Sequence, residues 1–215
     1  MPSKLLDYKS GAFCGVIGPI VGFTAVAIAI ILSASWFNWW TNALSDLGHP
    51  WMIGGINGTL GFNPVAPIFN GGMILTGLIS IIFSAHLIFL FWQRKALFGV
   101  IGPILFVSSM IFLIAVGIFH EGILLPHAIA AFGFFITIFL CSIFMGLAFL
   151  RRRTTRNEGM IAIIMGIIIT LTLFVGFSNL VPWTGAAIPE IIMAIAAFIW
   201  IIPVSIRLYR YGYTL

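Results

Sequence analysis

Six stretches of this sequence are long and apolar enough to cross a lipid bilayer as helices. The hydrocarbon core of a bilayer is about 30 Å thick, and a helix needs about 20 apolar residues to span it. The sequence therefore predicts an all-α integral membrane protein, a six-transmembrane-helix bundle formed as one domain over residues 1–215. The predicted spans are residues 11–36, 67–92, 97–119, 126–150, 159–181 and 187–208.

The composition agrees with this fold class and excludes others. Hydrophobic residues make up 61% of the chain and charged residues 7%, against about 45–50% and about 25% in soluble domains. A soluble globular domain, a disordered chain and a nucleic-acid-binding module are therefore excluded. The first apolar stretch is longer than the core of a signal peptide, about 7–15 residues. We therefore expect it to be a retained helix.

The charged residues predict the orientation of the bundle. All ten Lys and Arg residues fall on one side of the six spans, and the opposite loops, 37–66, 120–125 and 182–186, contain none. Cytoplasmic loops of membrane proteins carry an excess of these cations. The pattern predicts a multi-pass protein of the plasma membrane with both termini cytoplasmic. Aromatic interface residues on the other side agree: Trp36, Trp39, Trp40, Trp51 and Trp183.

Short repeats run through the apolar stretches. The hexapeptide GVIGPI occupies 15–20 and again 99–104, and a degenerate GMIAII occupies 159–164. The pattern suggests three helical hairpins, and both duplication and chance similarity of apolar sequences explain it. Small residues also recur every four positions within the spans, which predicts close packing between helices of the same chain. They are Gly18 and Gly22, then Gly72, Thr76, Ser80 and Ser84, then Gly133, Thr137 and Cys141.

A Trp-rich outer loop, residues 37–66, joins the first two spans. Loops of this length are often functional. Thr41 or Asn42 is placed to cap a short helix that runs through Leu47, and the remainder is rich in turn residues. We expect a lid or re-entrant element over the bundle, and a glycosylation sequon begins at Asn57. A crevice for a lipid or another ligand is expected beside Asn70, Trp39, Trp40 and Trp51.

Ionisable residues near membrane depth are costly and therefore mark candidate sites. Six fall in the outer third, and they leave three alternatives open. Two His and one or two carboxylates would suit a zinc or iron ion, and no other cofactor is predicted. Acid–base attack on a lipid headgroup is the second alternative, and structural hydrogen bonding and helix capping is the third. The metal candidates are His49, His120, Glu121 and His127, and the catalytic candidates are Asp46, His127, Glu190 and the nucleophile Ser45.

Four sequence motifs carry a family resemblance. They are LSDLG at 44–48, IFNGGMILTGL at 68–78, VGIFHEG at 116–122 and PHAIAAFGFF at 126–135. With these motifs the chain resembles an uncharacterised prokaryotic membrane family, domain of unknown function 998, over most of its length. The resemblance implies a multi-pass protein of about six helices, and it implies no particular activity.

Three functions are compatible with these features. We expect an accessory or structural membrane subunit, or a lipid-binding protein, because the sequence carries no diagnostic catalytic spacing. A membrane-embedded enzyme with an outward-facing site is the alternative, and a small-molecule transporter is the third. No charged residue is predicted near the midplane, where coupling ions usually bind. The expected partners are the bilayer and either a membrane protein complex or further copies of the chain, without nucleic acid.

Overall fold

The six predicted spans are α-helices in the computed structural model, which describes residues 7–53, 60–178 and 180–212. Each helix is long and apolar enough to cross a membrane. The prediction of a six-helix membrane bundle is therefore confirmed. The helices are α1 (Tyr8–Leu32), α2 (Ala66–Gln93), α3 (Leu97–Ile118), α4 (Leu124–Leu150), α5 (Arg156–Gly176) and α6 (Ala187–Tyr211).

Two helices end earlier than their apolar sequences suggest. Helix α1 stops at Leu32, where the Ser33 amide bonds to carbonyls of the last turn and the chain leaves the helix. Helix α5 stops at Gly176, whose carbonyl accepts a 2.9 Å hydrogen bond from the Trp183 indole N–H. Apolar residues continue beyond both ends, because aromatic side chains also favour the membrane interface. Hydropathy alone therefore extends the predicted spans too far.

The helices form a closed ring. Each one packs against the next along the chain, and α6 closes the ring on α1. Helices α4 and α6 also contact each other, so α5 lies outside the line between them. One end of the ring, the tryptophan end, carries loops 33–65, 119–123 and 177–186. The other end, the arginine end, carries the connections 94–96 and 151–155.

Small residues allow α1 and α2 to approach closely. A Cβ atom added at Gly18 would overlap Ser80, and one added at Gly72 would overlap Ala25. Contacts this close leave no room for larger side chains between the two backbones. The predicted role of these residues in packing within the chain is confirmed for this helix pair.

Aromatic side chains fill the middle of the ring. Phe106 lies between Phe83 and Trp200, with ring centroids 5.9 Å away on each side and edge-on geometry. All three side chains are buried. Edge-to-face packing of this kind adds to the free energy gained from burial. The cluster joins α2, α3 and α6 near the midplane.

The long first loop contains a short helix and a small sheet. A 3-10 helix, here called the lid segment, spans Leu44–Gly48, and it contacts α1, α2 and α6. Strands β1 (Trp51–Ile53) and β2 (Leu60–Phe62) then form an antiparallel hairpin in which Trp51 pairs with Phe62. The sequence predicted the short helix, but it predicted only turns where the strands lie. Asn57 and its sequon lie outside the described residues.

The start of the lid segment differs from the predicted capping. Ala43 precedes the 3-10 helix, and neither Thr41 nor Asn42 caps it. The Asp46 side chain accepts hydrogen bonds instead, from the Asn42 amide at 2.7 Å and from the Ala43 N–H at 3.0 Å. A carboxylate near a helix N-terminus satisfies N–H groups that have no partner within the helix. Asp46 therefore holds the start of the lid segment.

Candidate functional site

A partly open cavity of about 140 Å³ lies in the centre of the ring. Helices α1, α2, α3, α4 and α6 and the lid segment contribute its described lining, and α5 contributes none of it. The position follows from the packing, because a ring of helices leaves space along its axis where side chains do not meet. The cavity is therefore a product of the whole bundle.

The cavity is narrow and runs along the helix axes. On α2 its lining extends from Phe69, near the tryptophan end, to Ser80. These residues are about 16 Å apart at about 1.5 Å per residue. Phe106 and Ile201 line its deep part. The cavity thus reaches from the tryptophan end to about the middle of the bundle.

The polar lining residues are distributed unevenly. The described lining is apolar except for Ser45, Thr76, Ser80, His127 and Glu190. Ser45 belongs to the lid segment, and His127 and Glu190 lie in the first turns of α4 and α6. These three therefore stand at the tryptophan end. The ionisable side chains of the site therefore stand at one end, and the rest of the lining is apolar apart from the hydroxyls of Thr76 and Ser80.

Glu190 connects α6 to the lid segment. Its Oε2 atom accepts a 2.7 Å hydrogen bond from the backbone N–H of Leu44. The side chain is surrounded by protein, yet it keeps accessible surface because it lines the cavity. Its position in the first turn of α6 also places a carboxylate near the positive end of the helix dipole. Glu190 is thus both a structural link and a wall of the site.

Glu121 joins a second carboxyl group to the same region. The Ser45 hydroxyl donates to Glu121 Oε2 over 3.4 Å. The pKa of Glu121 is raised to about 8, mainly by burial and then by the hydrogen bond and charge of Asp46 and the charge of Glu190, while the hydrogen bond from Ser45 lowers it. A hydrogen bond between two carboxyl groups requires a proton on one of them. At neutral pH Glu121 therefore carries that proton and donates to Asp46.

The three histidines at this end all use Nδ1 for backbone hydrogen bonds. His127 Nδ1 lies 2.7 Å from the Phe119 carbonyl oxygen, which can only accept, so this nitrogen carries the proton. Its Nε2 is then the ring atom available to a ligand, and His127 lines the cavity. His49 Nδ1 and His120 Nδ1 accept backbone N–H groups at 3.1 Å.

His49 and His120 lie beside each other rather than around a metal site. Their ring centroids are 6.0 Å apart in an edge-on arrangement. Burial lowers the pKa of His120, and the imidazoles of His49 and His127 lower it further. Over residues 7–53, 60–178 and 180–212, no three His, Cys, Asp or Glu side chains are grouped to hold a metal ion. The predicted set His49, His120, Glu121 and His127 therefore forms no such group here.

The catalytic candidates do not form a nucleophile–base pair. Ser45 donates to Glu121, and the protonated nitrogen of His127 bonds to the Phe119 carbonyl. A serine nucleophile is normally activated by a hydrogen bond to its base. The structure instead brings Ser45 together with the carboxyl groups of Asp46, Glu121 and Glu190.

The four residues predicted to form a crevice lie outside the cavity lining. Trp39, Trp40 and Trp51 are exposed, as interfacial tryptophans would be. The Asn70 amide donates to the Gly48 carbonyl at 2.9 Å and so holds the lid segment on α2. The cavity is lined mainly by apolar residues that sequence reasoning missed, such as Met73 on α2 and Phe134 on α4. No local signal distinguishes them from other core residues.

The fold and site define a multi-pass membrane protein with a lidded central cavity. The chain belongs to the family described as Protein of unknown function (DUF998), whose sequence model matches residues 16–207. The match covers α2 to α5 completely and most of α1 and α6. No curated protein and no solved structure matches the chain.

Proposed function

We propose that this protein binds a small amphiphile in its central cavity. The apolar chain of the ligand would lie between α1, α2, α3, α4 and α6, and its head group would lie beside Ser45, His127 and Glu190. The observation that carries the proposal is the lining, which has its ionisable groups at the tryptophan end and is apolar below them except for the hydroxyls of Thr76 and Ser80. Pockets of this kind bind through apolar contact and use a few polar groups for orientation.

The size and shape of the cavity favour a hydrocarbon chain. Its volume is about 140 Å³, and an apolar protein cavity of about 150 Å³ is large enough for benzene or xenon. The cavity is elongated over about 16 Å and partly open, so its shape suits part of a thin chain better than a compact ring. Single-chain lipids and long-chain alcohols or amines have this form.

The polar end favours a head group that donates hydrogen bonds. The Glu190 carboxylate accepts, and the available Nε2 of His127 also accepts. An amino head group could donate to both, and a hydroxyl head group could donate to one of them. The Ser45 hydroxyl already donates to Glu121, and its oxygen can still accept a hydrogen bond from the head group. Because these three groups offer hydrogen-bond acceptors, they would bind a head group that donates hydrogen bonds better than a phosphate group.

The cellular setting of this function is also part of the proposal. We infer that the protein lies in the plasma membrane with both termini cytoplasmic, because every Lys and Arg among the described residues lies at or near the arginine end. The cavity would then open at the outer leaflet. In that setting the protein would act as a lipid-binding accessory or structural subunit, in a membrane complex or as a homo-oligomer.

Photolabelling tests the proposal directly. The probe is dodecanol with a diazirine at the end of its chain, added to the purified protein in nanodiscs. Ala194→Phe would fill the cavity, because Ala194 lines it, and the matched control is Ile195→Phe on the exposed side of α6. We expect wild-type labelling of cavity residues in α3 and α4, a loss of at least five-fold in Ala194→Phe, and little change in Ile195→Phe.

A different distribution of label would contradict the proposal. Labelling confined to lipid-facing side chains, and equal in both variants, would mean that the chain dissolves in the surrounding lipid only. Excess unlabelled dodecanol should also compete with the cavity label and leave the lipid-facing label unchanged.

A membrane-embedded acid–base enzyme is the second candidate, and one observation favours it. Glu121 has a pKa of about 8 and bonds to Ser45, which lines the cavity. A carboxylic acid that stays protonated at neutral pH can act as a general acid. If the bound amphiphile is a lipid ester, purified wild-type protein should cleave it, and Glu121→Gln should abolish cleavage without abolishing binding. Turnover that is equal in both proteins would exclude this role of Glu121.

A further inference from the structure

A second, smaller cavity lies at the arginine end of the bundle. Its volume is about 70 Å³, and it lies between the α2–α3 connection and the α4–α5 connection. Its described lining includes the three arginines Arg94, Arg151 and Arg152, and none of the described lining residues is acidic. Glu121, Glu190 and Asp46 are at the other end, so this site is separate from the central cavity.

The fold holds the first of these arginines at a tight turn. Helix α2 ends at Gln93, Arg94 is its C-cap, and the next residue, Lys95, has a positive φ of 51°. The Ala96 N–H then returns to the Phe91 carbonyl at 3.0 Å. A left-handed residue followed by such a bond is the common way in which a helix stops. Arg94 is therefore fixed at the wall of the cavity by the geometry of the turn.

The opposite wall is also held by the backbone. Arg151 and Arg152 follow directly after α4, and Thr155 Oγ1 donates to the Phe149 carbonyl at 2.7 Å. The Phe149 ring packs on Phe91 with centroids 5.7 Å apart, which joins the two walls at the base of the cavity. The three guanidinium groups are thus carried by two connections that pack together.

Electrostatics at this site favour an anion. Burial lowers the pKa of Arg94, and the charge of Arg152 lowers it further. Both causes place the Arg94 guanidinium in a partly buried position near the Arg152 guanidinium. The cavity also meets the first turn of α3 through Ala96 and Gly99, where the helix dipole is positive. An anion in the cavity would relieve the repulsion and replace the lost water.

We propose that this cavity binds the phosphate of an anionic membrane lipid, or a free phosphate of the same charge, between Arg94, Arg151 and Arg152. The planar guanidinium group matches phosphate oxygens with paired hydrogen bonds. A volume of about 70 Å³ exceeds the space of two liquid waters, each about 30 Å³, so a phosphate group fits. The position at the end of a membrane bundle places the site at headgroup depth.

Native mass spectrometry tests this site with two matched double variants. Wild-type protein in neutral detergent is mixed with phosphatidylglycerol or phosphatidylcholine, and retained lipid is measured. The site variant is Arg94→Gln with Arg152→Gln. The control is Arg153→Gln with Arg156→Gln, which removes two exposed arginines of the same region that do not line the cavity. We expect wild-type protein to retain one phosphatidylglycerol. The amount of retained phosphatidylglycerol should fall at least ten-fold in the site variant and less than two-fold in the control.

A second arm distinguishes the two sources of phosphate. Inorganic phosphate at millimolar concentration is added in neutral detergent and the Tm is measured. A rise in wild type that the site variant lacks, without selective retention of phosphatidylglycerol, would assign the site to a free anion. If the double variant does not fold, the single substitution Arg151→Gln replaces it. We expect Arg151→Gln to retain at least three-fold less phosphatidylglycerol than wild type. Equal losses in the site and control variants, or no selective binding in either arm, would overturn the proposal.

Discussion

Glu190 in α6 accepts a 2.7 Å hydrogen bond from the backbone N–H of Leu44, 146 residues earlier in the chain. This bond ties the lid segment to the helix that closes the ring. Because Glu190 also lines the central cavity, the same side chain holds the lid and faces the proposed ligand. The fit of the lid and the occupancy of the cavity should therefore depend on each other.

Removing this acceptor should loosen the lid segment. Glu190→Ala leaves the Leu44 N–H without its partner, and a typical hydrogen bond contributes about 1 kcal/mol. We expect amide exchange at Leu44 to rise about 5-fold by that free energy, measured by hydrogen–deuterium exchange in nanodiscs. Glu190→Gln keeps an acceptor oxygen and should change exchange much less. Equal exchange in wild type and Glu190→Ala would show that other contacts hold the lid.

The pH dependence of stability should carry a contribution from Glu121. Its pKa is about 8 in the folded protein, against an ordinary 4.5. The folded protein therefore keeps a proton that the unfolded chain releases between these values. By linkage this contribution to stability is complete below pH 4.5 and is lost as the pH rises to about 8.

The matched variant isolates that contribution. Glu121→Gln cannot ionise, so its Tm should fall less than that of wild type between pH 5 and pH 8.5, with both measured in one detergent. The two curves should diverge steadily as the pH rises. Parallel curves over this range would show that Glu121 ionises in the folded protein as it does in water.

Adjacent glycines in α2 provide a test of the close packing between α1 and α2. A Cβ atom at Gly72 would overlap Ala25, whereas a Cβ atom at Gly71 would meet nothing within 4 Å. Gly72→Ala should destabilise the protein by about 1–3 kcal/mol, as overpacking does. Gly71→Ala should be neutral or stabilising by up to about 1 kcal/mol, because alanine favours helix. Thermal unfolding compares the two, and equal Tm values would contradict the close approach.

An ion pair at the arginine end should stabilise the attachment of α5. Arg207 Nε lies 2.6 Å from Glu158 Oε1, and both side chains are largely buried. Arg207→Ala would leave Glu158 without this cation. We expect the free energy of unfolding to fall by about 2 kcal/mol. Removing one partner of a fully buried pair would lower it by about 3–5 kcal/mol. Arg210→Ala, on an exposed residue of the same helix, is the control, and equal losses of Tm would exclude a specific role of the pair.

The helices could be predicted from the sequence because each depends on a local property. A stretch of about 20 apolar residues forms a helix in a bilayer whatever its neighbours do, since its backbone groups must be satisfied internally. The helix ends were less predictable. Gly176 ends α5 with the help of the Trp183 indole, and that contact forms only after the following loop has folded.

The candidate site was only partly predictable for the same reason. The topology placed Asp46, Glu121 and Glu190 on one side of the membrane, and the structure brings their carboxyl groups together with Ser45. The cavity, however, depends on how five helices leave space along the axis of the ring. Residues such as Met73 carry no mark of that role in the sequence. The strands of the first loop, likewise, depend on a pairing between residues on either side of 54–59.

The most direct test of the central claim is an experimental density map of the protein in lipid nanodiscs, with a bound antibody fragment to add mass. We expect elongated density that is not protein between Phe69 and Phe106, with its broader end beside Ser45, His127 and Glu190. Ala194→Phe should lack this density. A map in which protein side chains close the cavity, or in which water alone fills its polar end, would contradict the binding of an amphiphile there.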